Sequence, residues 1–215
     1  MNVQRQTVND TLWQSLFKLM ELDSFENFRL VGGTSLSLLI GHRMSLDIDL
    51  FTDSEYRSID FIEILKIPKV EFDYVDHNEW INETIGNSCF IGNSSDDSIK
   101  LDIYYTDPFV YPIIAIEKIR LSSLEEITAM KLDVIGRGGR KKDFWDIHAL
   151  FDYFDLPKML ELYSKRYPYN FSNEELVQQL TNFENAETDP DPNCLKGKFW
   201  ELIKLDFEDR IKDYR

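Results

Sequence analysis

Cysteine is almost missing from this sequence. The two that occur, Cys89 and Cys194, form no Cys-x-x-Cys pair and stand apart from any group of histidines. This argues against a disulfide framework and a structural zinc site, so we expect two reduced thiols. Long hydrophobic runs are missing too, because no stretch approaches the roughly 18–20 apolar residues of a membrane-spanning helix. The N-terminus lacks the apolar segment of a secretory signal, so we expect a cytoplasmic protein.

Positive charge is also scarce. Lysine and arginine number 24 against 39 aspartates and glutamates, which gives a formal net charge of −15. A broad surface for nucleic acid is usually basic, so this composition argues against one. Any contact with nucleic acid has to use a local patch, and the densest basic run consists of Arg137, Arg140, Lys141 and Lys142. Such a run is otherwise an ordinary solvated loop.

Hydrophobic periodicity, in contrast, is present along most of the chain, and it changes near residue 110. The helices predicted before that point cover residues 7–22, 34–40 and 58–66. The predicted strands cover 28–31, 46–51, 70–75 and a hairpin made of 89–92 and 99–105.

The second half of the chain is predicted to be mostly helical. A capping box, Ser123-Leu-Glu-Glu126, opens a helix that runs to residue 135, and a second helix covers 142–154. We therefore predict an α/β core over residues 1–110 and a helical region over residues 111–215 that completes an active-site cleft. The four tryptophans are interpreted as packing residues: Trp13, Trp80, Trp145 and Trp200.

Three aspartates are the strongest candidates for chemistry. Asp47 and Asp49 lie two apart on a predicted strand, so both side chains point to the same face. Like charges this close repel, and a divalent cation with hard oxygen ligands relieves that repulsion. Asp102 supplies a third carboxylate from another predicted strand, and three such groups can hold two metal ions. Taken alone, an Asp-x-Asp pair is as easily an exposed polar face.

A glycine turn precedes these acids. Gly32 and Gly33 end a short apolar run, and Thr34 and Ser35 open a helix. Free backbone N–H groups and the positive end of the helix dipole make such a turn an anion site, and the glycines allow a phosphate to approach. The alternative is an ordinary strand-to-helix connection. A phosphate site followed by a strand with paired carboxylates is more specific than either part.

Three segments, in this order, resemble a known family. GGTSLSLLIGHRMSLDIDLF at 32–51, SIKLDIYY at 98–105 and SLEEITAMKLDVIGRGGRKKDFWDIHALF at 123–151 are similar to the motifs of the AbiEii/AbiGii toxin-type nucleotidyltransferases. These enzymes belong to the DNA polymerase β-like superfamily. The resemblance implies an α+β fold, in which a polymerase β-like mixed sheet with flanking helices is followed by a C-terminal helical region.

The resemblance also implies roles for individual residues. Asp47, Asp49 and Asp102 would bind Mg²⁺ or Mn²⁺, and Lys131 would act with them in catalysis. The nucleotide would be bound by Gly32, Gly33, Thr34, Ser35, Ser45, Arg137, Lys142, Asp143 and Asp146, with Asp143 or Asp146 orienting a lysine. Lys141 and Lys142 compete for one motif position, and Lys142 is preferred because the pattern Lys-Asp-x-x-Asp begins there.

The function implied is transfer of a nucleoside monophosphate from an NTP to an acceptor, with release of pyrophosphate. RNA, and tRNA in particular, is the first candidate acceptor, and a protein hydroxyl is the second. A cognate antitoxin protein is a further implied partner. A nucleotide-binding regulatory module without turnover remains an alternative, although such a module would be expected to have lost at least one of the three acids.

Overall fold

The protein is described by a computed structural model that covers residues 3–76 and 85–214. Trp80 lies outside these residues. Of the other tryptophans, Trp145 and Trp200 are buried and stack on each other with ring centroids 6.3 Å apart, as expected of packing residues. Within the described residues, no helix is both long enough and apolar enough to cross a membrane.

A mixed sheet of seven strands forms the centre of the molecule. The strands are β1 (Arg29–Leu30), β2 (Asp47–Thr52), β3 (Tyr74–Asp76), β4 (Gly86–Ser94), β5 (Asp97–Tyr105), β6 (Ile113–Ile116) and β7 (Ile119–Ser122). Their order across the sheet is β3-β4-β5-β2-β1-β7-β6, with β2 and β5 parallel to each other. On β2, Ile48 and Leu50 are fully buried. Because side chains alternate along a strand, Asp47 and Asp49, on either side of Ile48, face the other side.

Helices cover the sheet and continue beyond it. They are α1 (Asp10–Glu21), α2 (Gly32–Ile40), α3 (Phe61–Glu71), α4 (Leu124–Gly136), α5 (Lys141–Leu150), α6 (Leu156–Arg166), α7 (Asn173–Gln179), α8 (Glu184–Glu187) and α9 (Trp200–Tyr214). The predicted cap of α4 is present, because the Ser123 side chain accepts from the Glu126 N–H at 3.4 Å, and α1 is capped by the Asn9 side chain, which accepts from the Leu12 N–H at 2.8 Å. Helix α4 packs against α2, α5 and α6.

One predicted strand is wrong. Residues 70–75 alternate apolar and polar side chains, which favours a strand, yet α3 continues through Glu71 and β3 begins only at Tyr74. Val70 is 81% exposed on the last turn of α3, so its apolar character does not mark a buried face. The hairpin is confirmed: β4 and β5 pair in antiparallel register and turn at residues 95–96.

The sheet extends further along the chain than the sequence indicated. Strands β6 and β7 lie after residue 110, and β7 pairs in parallel with β1 through Leu30 and Leu121. The change to an all-helical pattern therefore comes after Ser122. The division of the chain into domains at residue 110 stays a prediction, but the central sheet crosses that point.

Candidate active site

The three predicted carboxylates meet on two neighbouring strands. In the parallel pair of β2 and β5, Asp49 lies directly opposite Asp102, and Asp47 lies opposite Lys100. Paired positions on neighbouring strands bring side chains of the same face together. All three aspartates line one cleft of about 460 Å³. The sequence could place Asp102 on a strand, but the register that brings it beside Asp49 comes from the fold.

The carboxylates differ in how their charge is compensated. Burial raises the pKa of Asp49 to about 6, and the negative charges of Asp102 and Asp47 add to that effect. Asp47 contacts the Lys142 ammonium at 3.3 Å, and Asp102 accepts from Lys100 Nζ at 2.6 Å through Oδ2. The second oxygen of Asp102, Oδ1, is buried without a hydrogen-bond partner. Negative charge is therefore concentrated at Asp49 and only partly balanced.

The donor chemistry of this cluster fits a divalent cation. Among the described residues, no group of three or more His, Cys, Asp or Glu side chains already stands in a metal-binding arrangement. The acids nevertheless supply hard oxygen ligands, an unpartnered buried oxygen on Asp102 and a strained charge on Asp49. Lys100 and Lys142 each contact one oxygen of a carboxylate, Asp102 Oδ2 and Asp47 Oδ2 respectively.

The glycine turn is shaped by the protein's own side chains. Gly32 has a φ of +66°, a left-handed conformation that favours glycine, and a Cβ there would overlap the carboxylate of Asp49. A Cβ on Gly33 would overlap the guanidinium of Arg43. Both glycines line the cleft. The sequence interpretation attributed them to a phosphate, whereas the structure also requires them to admit Asp49 and Arg43.

Thr34 and Ser35 lie outside the lining of the cleft, and their predicted binding of the nucleotide stays a prediction. Both are buried; Thr34 Oγ1 bonds to Ser45 Oγ at 2.7 Å and to the carbonyl of Asp47, and Ser35 Oγ donates to the Ser122 carbonyl at 3.2 Å. Their hydroxyls hold the turn onto the start of β2 and the end of β7. Ser45 does line the cleft, although it precedes β2 instead of lying on it.

Lys131 is fixed by two acids from the next helix. Its ammonium lies 2.6 Å from Asp143 Oδ1 and 2.6 Å from Asp146 Oδ2, and its side chain is 8% exposed at the cleft wall. Asp143 also accepts from the Arg140 N–H at 3.0 Å. This agrees with the expectation that these acids orient a lysine. Asp146 is fully buried and lies outside the cleft lining, and its predicted contact with the nucleotide stays a prediction.

Asp146 is the centre of a buried network that the sequence did not reveal. Arg43 donates to it twice, from Nε to Oδ1 at 2.7 Å and from Nη2 to Oδ2 at 2.9 Å, and His42 Nε2 lies 2.7 Å from Oδ1. Burial opposes ionisation, but the cations of Arg43 and Lys131 hold the pKa of Asp146 well below its ordinary value. The network joins the segment before β2 to helices α4 and α5.

The basic run divides between two surfaces. Arg137, Arg140 and Lys142 line the cleft, whereas Lys141 turns away to Asp191, 3.1 Å from its Oδ1, and lies over the Trp200 ring. Arg137 is 65% exposed and pairs with Asp133 Oδ2 at 2.7 Å. The structure therefore places Lys142, the preferred of the two adjacent lysines, beside the carboxylates.

The far wall of the cleft went unnoticed in the sequence. It consists of Thr106, Asp107, Ile127, Met130, Val134 and Tyr167. A fully buried pair, Glu126 and Arg166, holds the loop that leads into it. Glu126 Oε2 accepts the N–H groups of Val110 and Tyr111, and Arg166 Nη1 donates to the Pro108 carbonyl at 2.9 Å. No local pattern in the sequence signals this wall, because its members come from three separate segments.

Known proteins share the sequence pattern and the fold of this chain. The protein-family model described as "Nucleotidyl transferase AbiEii toxin, Type IV TA system" matches residues 14–214. A protein of Aquifex aeolicus (strain VF5) is 27% identical over 209 residues, which cover 94% of each chain. JHP933 from Helicobacter pylori has a similar structure, with a TM-score of 0.57, 17% identity and coverage of 93% of this chain and 88% of that one. The structure of MenT4, a nucleotidyltransferase toxin from Mycobacterium tuberculosis H37Rv, is also similar, with a TM-score of 0.58 and 14% identity. The match covers 92% of this chain and 80% of that one.

Proposed function

We propose, from the premise that the chain belongs to the AbiEii family of nucleotidyl transferase toxins, that it transfers a nucleoside monophosphate from an NTP to tRNA and releases pyrophosphate. Family membership makes the protein a nucleotidyltransferase. The dependence on Mg²⁺ or Mn²⁺, the RNA acceptor, the action as a toxin opposed by a cognate antitoxin and the residue roles below are parts of the proposal.

The observation that carries the proposal is the opposition of charge across one cleft. Asp47, Asp49 and Asp102 form one wall, and Lys131, Arg137, Arg140 and Lys142 line the same space. A triphosphate with its metal needs both kinds of group, since the carboxylates bind the cation and the basic side chains bind the phosphate oxygens. Phosphoryl-type transfer depends mainly on positioning and on electrostatic stabilisation, which such a cleft supplies.

Asp47, Asp49 and Asp102 would hold the divalent cation, which supplies Lewis acidity toward the triphosphate and its leaving group when bound. Lys131 donates to Asp143 and Asp146, and because an ammonium has three donors, one remains for a phosphate oxygen. Its partners raise the pKa of Lys131 despite burial, so it stays cationic. The exposed guanidinium of Arg137 can bind phosphate at two oxygens.

The acceptor proposal rests on the size and place of the basic patch. The chain is strongly acidic overall, so an extended RNA surface is disfavoured. Arg137, Arg140 and Lys142 form a small basic patch at the cleft, which suits the end of an RNA strand better than a long duplex. The MenT4 structure is described as a nucleotidyltransferase toxin, and the family description names a toxin–antitoxin system, which supports the proposed antitoxin partner.

Incubation with each labelled NTP in turn tests the proposal. The protein is mixed with total tRNA, with cell lysate or with no acceptor, each with Mg²⁺, Mn²⁺ or a chelator. We expect labelled tRNA that depends on the metal and is lost in Asp49→Asn but retained in Asp209→Asn, which changes an exposed aspartate of α9. Label on protein alone would replace RNA by a protein hydroxyl as the acceptor. Metal-independent label, or none, would refute the proposal.

A further inference from the structure

A second groove opens beside the catalytic cleft and shares part of its wall. It has a volume of about 500 Å³. The side chains that line both spaces are Arg43, Ser45, Asp47, Arg140 and Lys142. Asp49 and Asp102 line the cleft but not the groove. Of the three candidate metal ligands, Asp47 therefore lies at the boundary, and a molecule in the groove lies next to it.

An apolar wall forms the part of the groove that is not shared with the cleft. Met44 and Leu46 come from the segment before β2, and Pro190 and Pro192 come from the loop between α8 and α9. Leu46 is 65% exposed, although it directly precedes β2. Single exposed leucines are common, but here four apolar side chains line one space together. Such a wall favours a flat, weakly polar group such as a nucleobase.

The groove is rigid because its two segments are bonded to each other and to the buried network. The Met44 N–H donates to the Asn193 carbonyl at 2.9 Å. Arg43, whose guanidinium is bound to Asp146, donates from Nη1 to the Met44 carbonyl at 3.0 Å. The prolines of the loop restrict its backbone torsions further. A groove that is formed in advance binds its ligand with a smaller loss of conformational entropy.

The boundary between groove and cleft carries positive charge, from Arg140 and Lys142. The side chain of Arg140 is 65% exposed. Asp189 and Asp191 also line the groove, but both contact Lys141: Asp189 Oδ2 accepts its backbone N–H at 3.0 Å, and Asp191 Oδ1 lies 3.1 Å from its ammonium. Their negative charge is partly balanced there, and the exposed guanidinium of Arg140 is accessible to a phosphate.

We propose that this groove binds the terminal nucleotide of the acceptor RNA, an inference that rests on the proposed transfer to RNA. The base packs on Leu46 and the two prolines, and Arg140 binds the phosphate that precedes the terminal nucleotide. The terminal ribose then lies at the shared wall, with its hydroxyl at Asp47. A protein segment would satisfy the apolar wall equally well, but the adjacent cations match a polyanion.

RNA binding is measured first without NTP, so that the result does not depend on transfer. The probe is a short single-stranded RNA with a 5′ fluorescein, a free 3′ hydroxyl and 4-thiouridine as its last base. We expect ultraviolet cross-links within residues 44–46 or 189–193. Leu46→Gln should raise the Kd of the RNA roughly three- to tenfold. Leu205→Gln, which changes an exposed leucine of α9, should leave it unchanged. Arg140→Gln should lower the slope of log Kd against log salt by about 0.7, the loss of one phosphate contact.

The labelling reaction with tRNA then separates this inference from the proposed function. We expect Leu46→Gln to raise the KM for tRNA by a similar factor, while the Kd of the NTP, measured without RNA, stays that of the parent. Transfer by the parent with an unaltered KM in Leu46→Gln, or an RNA that cross-links elsewhere or not at all, would overturn the groove and leave the proposed function intact.

Two further outcomes are distinct from these. A parent protein that cross-links RNA in the groove but transfers nothing from any NTP would refute the proposed function, and the groove would stand as an RNA-binding site. Label that appears on protein alone and is reduced in Leu46→Gln would overturn RNA as the occupant and assign the groove to a protein segment.

Discussion

Two neighbouring clusters of charged side chains differ in how their charges are balanced. In the network of Arg43, Asp146, Lys131 and Asp143, every acid is paired with a cation at 2.6–2.9 Å and the groups are almost fully buried. In the cluster of Asp47, Asp49 and Asp102, like charges face one another and one buried oxygen has no partner. The first cluster is complete as it stands, whereas in the second Lys142 and Lys100 pair with Asp47 and Asp102 and no cation pairs with Asp49.

This difference distinguishes a cluster that stabilises the fold from a cluster that can bind a ligand. Buried ion pairs stay bound because removal of one member leaves its partner charged in a poor solvent. A cluster of like charges costs folding free energy and persists where a ligand relieves it. Lys131 belongs to both regions, since its ammonium is fixed by the network and its side chain lines the cleft. The network therefore sets the position of a cation that the cleft uses.

The largest expected effect comes from breaking the complete cluster. Asp146→Ala leaves Arg43 and Lys131 buried without their shared partner, and we expect a loss of about 3–5 kcal/mol in the free energy of unfolding. Urea denaturation measures it. The matched variant is Asp49→Asn, which removes a repelling charge and should leave the metal-free protein as stable as before or more stable. Equal destabilisation by both variants would contradict the distinction.

A fall in pH should change the contributions of the two clusters to the stability of the fold in opposite directions. The pKa of Asp146 in the folded chain is depressed, so its contribution to stability is present above the unfolded value near 3.8 and is lost as the pH falls through the folded value. The pKa of Asp49 is raised to about 6, so protonation between pH 6 and 4 removes its unfavourable charge and stabilises the metal-free folded protein. When the free energy of unfolding is measured from pH 7 to pH 3, we expect it to fall less steeply with decreasing pH in Asp146→Ala than in the parent. In Asp49→Asn it should fall more steeply.

Activity should respond chiefly to the incomplete cluster. Asp49→Asn keeps the shape of the side chain but removes a charged oxygen ligand, and we expect the rate of nucleotidyl transfer to fall about 10²–10³-fold. The assay is the labelling reaction at saturating NTP, with circular dichroism as a check of the fold. A rate within about threefold of the parent would show that Asp49 does not bind the metal.

The adjacent lysines offer a smaller and sharper comparison. Lys142→Gln removes a cation from the cleft, and we expect roughly a tenfold increase in KM for the NTP, about 1.4 kcal/mol, with little change in stability. Lys141→Gln removes a contact with Asp191 and Trp200 outside the cleft and should lower stability while KM stays unchanged. Thermal unfolding and steady-state kinetics measure the two effects. A raised KM in Lys141→Gln together with lower stability in Lys142→Gln would contradict this assignment of the two lysines.

The smallest effect is the response of the fold to metal alone. Mg²⁺ or Mn²⁺ should raise the midpoint of thermal unfolding by a few degrees, because a ligand that binds only the folded state stabilises it by mass action. We expect no increase in Asp49→Asn and an unchanged increase in Lys141→Gln, measured relative to each metal-free variant. An increase that survives Asp49→Asn would place the ion elsewhere.

The sequence was informative where the signal is local. The pattern Asp47-x-Asp49 and the glycine turn at Gly32 are visible in neighbouring letters, so the strand, the turn and their shared cleft could be predicted. The predicted hairpin supplied Asp102, and the family resemblance supplied the role of Lys131. The hydrogen bonds of the Thr34 and Ser35 hydroxyls could not be predicted, because the direction of a side chain at the start of a helix depends on what packs against it, here Ser45 and Ser122.

Partners that are distant in sequence could not be found in this way. Arg43 and Asp146 are joined only when α5 packs beside α2, and nothing near Arg43 marks which acid it meets. Lys100 was passed over because its importance comes from register, which sets it beside Asp102 on one strand and opposite Asp47 on the next. Strands β6 and β7 were missed because each is only four residues long, and the side chains of β6 are exposed or half-buried.

The register between β2 and β5 has a consequence for synthesis on the ribosome. Asp49 emerges early, but its partner Asp102 and the anchored Lys131 are made much later, and parallel strands pair only after the intervening chain has been released. A nascent or prematurely terminated chain that ends before α5 contains Lys131 but lacks Lys142 and the two acids, Asp143 and Asp146, that fix Lys131. Such a chain contains the three carboxylates but no fixed lysine beside them, so the complete cleft is assembled only after α5 has been made.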